Sequence, residues 1–145
     1  VAGAERRVLR LGDWRICPLV CYDLRFPVWS RYTESEPYDL VLYVANWPAV
    51  RTGQWRSLLQ ARAIENQSYF IATNQCGIQS HGSTVGEVYY FGHSMVVDPW
   101  GTVLDCKEKD EGLALAEINL QYVAELRHKM PLQRHRRGLS YCAHE

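Results

Sequence analysis

Short hydrophobic runs separated by turn residues predict a strand-rich fold over most of the chain. Gly12-Asp13 separates two of these runs and predicts a β-hairpin. Asp98-Pro99-Trp100-Gly101 separates two others, and proline at its second position with glycine at its fourth favours a type I turn. The predicted strands cover residues 6–11, 14–21, 39–45, 68–75, 93–97, 102–106 and 113–118.

Two longer segments have the apolar spacing of helices. Residues 52–67 contain no helix breaker and open on a threonine that is expected to cap the helix. Residues 119–129 open on an asparagine cap and end before Pro131. Between the strands, residues 76–91 are rich in Gly, Ser and Thr and predict a loop at the rim of a pocket. The pattern indicates one α/β domain with an extended tail from Met130.

Composition excludes several classes of protein. The 145 residues carry no formal net charge at pH 7, and 47% are hydrophobic, which fits a single globular domain and argues against disorder. Balanced charge also argues against a nucleic-acid partner, and the basic cluster at 134–137 is expected to be a solvated or interface patch. No apolar run approaches the roughly 18 to 20 residues that span a membrane. The first residues lack the apolar core of a signal peptide.

The five cysteines are irregularly spaced and indicate free thiols in a reducing compartment, so the cytoplasm is the expected location. Cys17 and Cys21 lie four residues apart in one predicted strand, which separates their α-carbons by about 13 Å. A disulfide needs less than about 7 Å. The sequence contains neither Cys-x-x-Cys nor paired Cys/His spacing. We therefore expect no redox pair, no metal and no cofactor.

Cys21 is the main candidate for chemistry. It closes the apolar run at 16–21, and a short helical stretch follows residues 22–27, so the thiol is expected where a buried strand turns into a helix. Unpaired N–H groups at a helix start favour a thiolate. Taken alone, a cysteine in an apolar strand is more often a small core residue. The motif around Cys21 reverses that interpretation.

A series of motifs follows Cys21 in order along nearly the whole chain. They are Cys21-Tyr22-Asp23-Leu24-Arg25-Phe26-Pro27, residues 43–48, residues 62–67, Gly92-His93-Ser94, Asp98-Pro99-Trp100-Gly101 and Arg136. With these motifs the chain resembles the nitrilase superfamily of carbon-nitrogen hydrolases, in particular its omega-amidase and Nit-protein branch. The resemblance implies an α/β fold, a four-layer α-β-β-α sandwich, of which residues 1–145 correspond to the C-terminal portion. It also implies a homo-oligomer, a dimer or larger, that pairs through helices.

The resemblance implies a role for Cys21 as the nucleophile of an amidase. Its thiolate would attack a primary amide, ammonia would leave, and water would hydrolyse the resulting thioester. The backbone N–H of Tyr22 would donate a hydrogen bond to the oxyanion. Family members also use a Glu base and a Lys oxyanion donor upstream of the cysteine. The twenty residues before Cys21 contain Glu5 as the only glutamate and no lysine.

The resemblance extends to a small-molecule amide substrate, a dicarboxylic monoamide such as 2-oxoglutaramate. Deaminated glutathione, a carbamoyl compound or a nitrile are alternative substrates within the family. An alternative of another class is a non-catalytic half-domain that retains only an interaction surface. An upstream Glu and Lys would distinguish the enzyme from the interaction module.

Three further residues are candidates for substrate binding. Arg25 can bind a carboxylate through its planar guanidinium, although a local ion pair with Asp23 is the more frequent arrangement at such a turn. Asn46 and Trp47 end the strand that should neighbour the Cys21 strand. They are expected either to line the pocket or simply to end the strand.

Overall fold

The computed structural model describes residues 5–84 and 86–136, which form eight strands and three α-helices. The strands are β1 (Leu9–Leu11), β2 (Trp14–Val20), β3 (Leu40–Ala45), β4 (Tyr69–Asn74), β5 (Cys76–Ser80), β6 (Glu87–Phe91), β7 (Ser94–Val97) and β8 (Val103–Lys107). The helices are α1 (Thr52–Asn66), α2 (Leu120–Lys129) and α3 (Leu132–His135). The α/β class predicted from the sequence is confirmed.

Six strands form one mixed sheet in the order β1-β2-β3-β4-β7-β8, and β5 pairs with β6 in a separate hairpin. The central strands β2, β3 and β4 are parallel. Val20 pairs with Val44, and Ala45 pairs with Asn74, so these three strands end side by side. Loops that follow the carboxyl ends of parallel strands are the usual place for a ligand site in such sheets.

One face of the sheet packs against α1. Trp55, Leu59 and Ala63 follow the i, i+4, i+8 spacing of a helix stripe, and all three are buried. They contact the side chains that β2, β3, β4 and β7 direct to this face, which are Cys17, Leu19, Val41, Tyr43, Ala45, Phe70, Ala72, Met95 and Val97. This contact fixes the first turn of α1 beside the strand ends.

The opposite face of the sheet is covered at one end only within the described residues. Val123 of α2 packs there with Ile16 and Leu40. Further along the same two strands, Val20 and Val44 are 65% and 64% exposed. Side chains two apart in a strand share a face, so an apolar surface continues past α2 to the strand ends. We call this surface the open face.

The structure confirms both predicted hairpins, the two buried strands and the two long helices. The predicted loop at 76–91 is wrong in part, because Cys76 pairs with Phe91 and the ladder continues to Ser80 and Glu87. The predicted strand at 113–118 is also wrong. These residues do not pair with another strand among those described, and Leu113 and Leu115 are exposed.

The ends of the helices differ in detail from the prediction. Thr52 does not cap α1, because its hydroxyl donates to the carbonyl of Ala49. The predicted extended tail instead contains α3, after which Arg136 donates to the carbonyls of Tyr32 and Glu65. Arg136 is thus a packed residue of the basic cluster, and Arg137 lies outside the described residues. In the described segments, every helix is too short or too polar to cross a bilayer.

Candidate active site

Cys21 lies at the end of a strand, as predicted, but the helix begins at Cys21 itself, and residues 27–30, where the helical stretch was expected to begin, form turns. It follows β2 directly and is the first residue of a 3-10 helix, Cys21–Arg25. Its φ of +42° lies in the left-handed region, which costs a residue with a side chain about 1–2 kcal/mol. The turn is held by Asp23, whose carboxylate accepts the N–H of Val20 at 2.9 Å. The chain therefore turns sharply and presents the thiol at the end of the strand.

The Cys21 side chain lines an open cavity of about 1060 Å³. Tyr22, Asp23 and Phe26 of the same turn line it too, as does Arg7 near the start of the chain. Cys21 is half-buried, whereas Cys17, four residues earlier in β2, is fully buried. The cavity makes Cys21 accessible to a small molecule.

Tyr22 contributes two features to this cavity. Its ring is exposed and meets the ring of Phe26 edge-on, with centroids 5.3 Å apart. Its backbone N–H belongs to the first turn of the 3-10 helix, where N–H groups have no acceptor within the helix. A hydrogen-bond donor therefore lies one residue from the thiol.

The predicted ion pair between Asp23 and Arg25 is wrong. The carboxylate of Asp23 holds the turn, whereas Arg25 donates from Nη2 to Oε1 of Gln54 at 2.8 Å. Residues two apart in a 3-10 helix point to different sides, because the helix has three residues per turn. Arg25 instead lies on the side of Tyr22, with its Cζ 5.8 Å from the centroid of that ring.

Trp47 is buried beneath Arg25. The Cζ of Arg25 lies 4.5 Å from the Trp47 ring centroid, and the ring of Trp55 lies 5.5 Å away on α1. Only 4% of Trp47 is exposed, so its ring supports Arg25. Asn46, the residue before it, is exposed where β3 ends. The structure thus brings Arg25 and Trp47 together, and Arg25, Asn46 and Trp47 are not among the residues that line the Cys21 cavity.

Asn74 fixes the backbone of Trp47 and was missed by the sequence reasoning. Its Oδ1 accepts the Trp47 N–H at 2.6 Å, and its Nδ2 donates to the carbonyls of Trp47 and Gly92 at 3.1 and 2.8 Å. The only sequence signal for this role is its position as the last residue of β4, a parallel neighbour of β3. A buried amide with all these partners joins three segments near the site.

The contacts of His93 stabilise the fold. It is buried, stacks on Phe91 with ring centroids 4.5 Å apart, and its carbonyl accepts from the indole N–H of Trp55 at 2.8 Å. Its Nδ1 lies 3.5 Å from the sulfur of Cys106. Burial lowers the pKa of His93 and raises that of Cys106, which favours the neutral form of each group. In the described residues, His, Cys, Asp and Glu form no group of three suited to a metal ion.

The sequence model of the carbon-nitrogen hydrolase family matches residues 2–128. The chain belongs to this family. Among its curated relatives, an omega-amidase, YafV, of Yersinia enterocolitica is 45% identical, over 90% of this chain and 49% of that protein. A 2-oxoglutaramate amidase of Bacillus subtilis is 39% identical, over 90% and 48%. The human deaminated glutathione amidase is 42% identical, over 81% and 35%. The chain thus spans about half the length, or less, of these relatives.

Solved structures of carbon-nitrogen hydrolases share the fold. A superfamily protein from Xanthomonas campestris, solved with an arsenic adduct in its active site, superposes with a TM-score of 0.87 at 36% identity. The match covers 96% of this chain and 53% of that one. A mutant amidase from Nesterenkonia sp. AN1, solved after Michael addition of acrylamide to its active-site cysteine, gives 0.72 at 29% identity, with coverages of 90% and 50%.

Proposed function

We propose that residues 1–145 are the C-terminal portion of an amidase that hydrolyses the terminal amide of small dicarboxylic monoamides such as 2-oxoglutaramate. One observation carries the proposal most: Cys21 is held at a left-handed φ where β2 ends, with its thiol in a cavity. Strained backbone of this kind clusters at functional sites. The omega-amidase and 2-oxoglutaramate amidase relatives support the substrate class.

In the proposed reaction, the Cys21 sulfur attacks the amide carbon and forms a C–S bond. The N–H of Tyr22 donates to the oxyanion that develops on the carbonyl oxygen. Collapse of this intermediate breaks the C–N bond, and the leaving nitrogen takes up a proton and departs as ammonia. Water then attacks the thioester, so that the carboxylic acid is released and the Cys21 thiol is restored. Neither a metal nor a redox partner enters these steps.

The reaction also needs a base and a charged oxyanion donor. Asp23 is engaged by the N–H of Val20, and Glu5, the one glutamate that lines the cavity, pairs with Arg7 at 2.5 Å. We therefore assign the base and a lysine donor to the part of the complete enzyme that this chain does not cover. Glu65 and Lys107 are poor substitutes, since Glu65 pairs with Arg62 on α1 and Lys107 is an exposed residue at the end of β8.

We propose that Arg25 binds the carboxylate at the end of the substrate away from the reacting amide. A guanidinium suits a carboxylate because two of its N–H groups can donate in parallel. Among the described residues no carboxylate lies within salt-bridge distance of Arg25, whereas Arg15 and Arg127 share Asp39. Exposed Asn46, beside Trp47, can donate from its amide to the same ligand.

Deaminated glutathione is the second candidate substrate, favoured by the 42% identity to its amidase. The open cavity of about 1060 Å³ has room for a peptide-like amide. The two substrates share a carboxylate and differ in length, so their relative kcat/KM distinguishes them.

We also propose that the complete enzyme is a cytoplasmic homo-oligomer. Ile64 on α1 and Trp100 in the turn before β8 are 48% and 58% exposed, and the turn packs on α1 through Gly101. Aromatic side chains such as Trp100 are enriched in subunit interfaces, and homodimer interfaces are more apolar than the rest of the surface. Light scattering of the complete enzyme should give a dimer or larger, and a monomer at micromolar concentration would contradict this.

Ammonia release from 2-oxoglutaramate tests the proposed activity. The complete enzyme should turn over this substrate, and Cys21→Ala should abolish turnover because the bond-forming sulfur is gone. Cys17→Ala is the matched control, since that thiol is buried and faces α1. Turnover that survives Cys21→Ala would refute the proposal, as would loss of turnover in Cys17→Ala when the fold is retained.

A further inference from the structure

We propose that Gln54 and Trp47 are positioning residues that hold the guanidinium of Arg25 next to Tyr22, a residue that lines the cavity. By doing so they set the preference for amides that carry a carboxylate at their far end. This inference rests on the proposed role of Arg25. It concerns two residues that the reaction itself does not use.

The contacts of Arg25 fix its side chain from two directions. Gln54, in the first turn of α1, accepts from Nη2 at 2.8 Å. The Trp47 ring lies under the guanidinium at 4.5 Å from its Cζ, a distance at which a cation is attracted to the ring face. A hydrogen bond at one edge and a ring below leave little freedom of rotation.

Trp47 is itself held rigidly. Asn74 bonds to both its backbone N–H and its carbonyl, and Trp55 packs against its ring. Arg25 therefore rests on a buried part of the fold and not on a mobile loop. An arginine that is already ordered loses less conformational entropy when a ligand binds.

The neutrality of Gln54 matters for the charge of the site. An amide oxygen orients the guanidinium without cancelling its positive charge. In the described residues Arg6, Arg15, Arg62 and Arg127 each pair with a carboxylate. Arg25 keeps its charge for an incoming anion. A glutamate in place of Gln54 would compete with the substrate carboxylate.

The spacing along the 3-10 helix suits a short substrate. Cys21 and Arg25 are the first and last residues of the 3-10 helix. Tyr22 lines the cavity with Cys21, and its ring lies 5.8 Å from Arg25 Cζ. We infer that a short dicarboxylic monoamide, with its amide at the thiol of Cys21, extends past Tyr22 and places its carboxylate at Arg25.

The test compares succinamate with butyramide, which has the same chain but a methyl group in place of the carboxylate. Gln54→Met in the complete enzyme should lower the kcat/KM ratio of succinamate to butyramide about tenfold, mainly through a higher KM for succinamate. Gln60→Met is the matched control. Gln60 lies on the same helix and makes one side-chain hydrogen bond, 2.9 Å to the Gly101 carbonyl, so its variant should keep the wild-type ratio.

Variants of Trp47 provide a second test of the positioning role. Trp47→Phe retains a ring face and should keep more of the succinamate preference than Trp47→Leu. Since Trp47→Leu can also unfold the site, the exposed Gln54 decides the test. The proposal is overturned if Gln54→Met gives the same ratio as Gln60→Met, or if it lowers kcat/KM equally for both amides.

A wild-type enzyme that hydrolyses neither amide would contradict the proposed function and not yet the positioning role. Calorimetric titration with succinate then decides. Weaker succinate binding by Gln54→Met than by wild type and Gln60→Met would support the positioning of Arg25. Equal affinity in all three proteins, or no binding by any of them, would overturn it.

Discussion

At the scale of single residues, the backbone of Cys21 is strained. A φ of +42° is compatible with glycine but strained for cysteine. Gln67 and His93 also have positive φ values, +48° and +52°, so the backbone of Cys21 points to function only together with its thiol in the cavity. The strain is consistent with a requirement for a thiol at this point of the turn.

Replacing Cys21 by glycine and by alanine separates strain from chemistry. Both variants lack the thiol, but Cys21→Gly should be more stable by about 1 kcal/mol because glycine adopts this φ without strain. Urea unfolding of the complete enzyme measures the difference. The same pair at Ser57, exposed in the middle of α1, should show the opposite order, since glycine weakens a helix by about 1 kcal/mol. Equal stability of the two Cys21 variants would contradict the strain.

The environment of Cys17 predicts low reactivity. Burial raises its pKa to about 11, so at pH 8 roughly one molecule in a thousand carries the thiolate, and this fraction rises tenfold with each pH unit. Acrylamide at pH 8 should therefore label Cys21 and leave Cys17 unmodified in the folded enzyme. Peptide mass mapping reports both, and unfolded protein is the control in which Cys17 reacts. Labelling of Cys17 before Cys21 would contradict the burial.

Residue roles were predictable only where they depend on local sequence. The position of Cys21 follows from an apolar run and the turn after it. The roles of Gln54 and Asn74 depend on contacts that span 29 and 27 positions, and no local pattern encodes them. The predicted Asp23–Arg25 ion pair was wrong because two residues that are close in sequence can point to different sides of a 3-10 helix.

At the scale of elements, strands were predictable where a partner lies in the same chain. β3 and β4 are hydrophobic runs that pair with neighbours, and both appear as expected. Residues 113–118 have an equally clear strand pattern but no partner strand among the described residues. A segment with the hydrophobic pattern of a strand forms one only where another strand can pair with it. The β5–β6 hairpin was missed because Gly and Ser within it resemble a loop.

The cap of α2 provides a test at this scale. The side chain of Asn119 accepts the N–H of Gln121 at 2.8 Å, so Asn119→Ala should lower the free energy of unfolding by about 1 kcal/mol. Glu117→Ala, an exposed position just before the helix, is the control and should change stability by less than about 0.5 kcal/mol. Chemical denaturation measures both. A smaller effect of Asn119→Ala than of Glu117→Ala would show that the cap contributes nothing.

At the scale of the whole molecule, the sheet has an open face, and the chain spans about half the length of its relatives. Val20 and Val44 are exposed there beside Cys21. In the complete enzyme we expect a second layer to cover this face, and the same layer is expected to bring the base and the lysine to the thiol. The 145 residues alone should then lack amidase activity and associate through exposed apolar surface.

Val44→Glu tests whether the open face is covered. In the isolated 145 residues the charge should increase solubility, since it interrupts an apolar surface. In the complete enzyme the same change should destabilise the fold by several kcal/mol, because it buries an unpaired charge. Val50→Glu, at a position 90% exposed before α1, is the control. Equal stability of the Val44→Glu and Val50→Glu enzymes would mean that the face stays open.

Mass spectrometry of the acyl-enzyme tests most directly whether Cys21 is the nucleophile. The complete enzyme is mixed with 2-oxoglutaramate and quenched in acid within the first turnovers, and its peptides are mapped. We predict one thioester adduct, equal in mass to the substrate less ammonia, on the peptide that contains Cys21. An adduct on Cys17, Cys76 or Cys106, or turnover without any covalent intermediate, would contradict the assignment of Cys21 as the nucleophile.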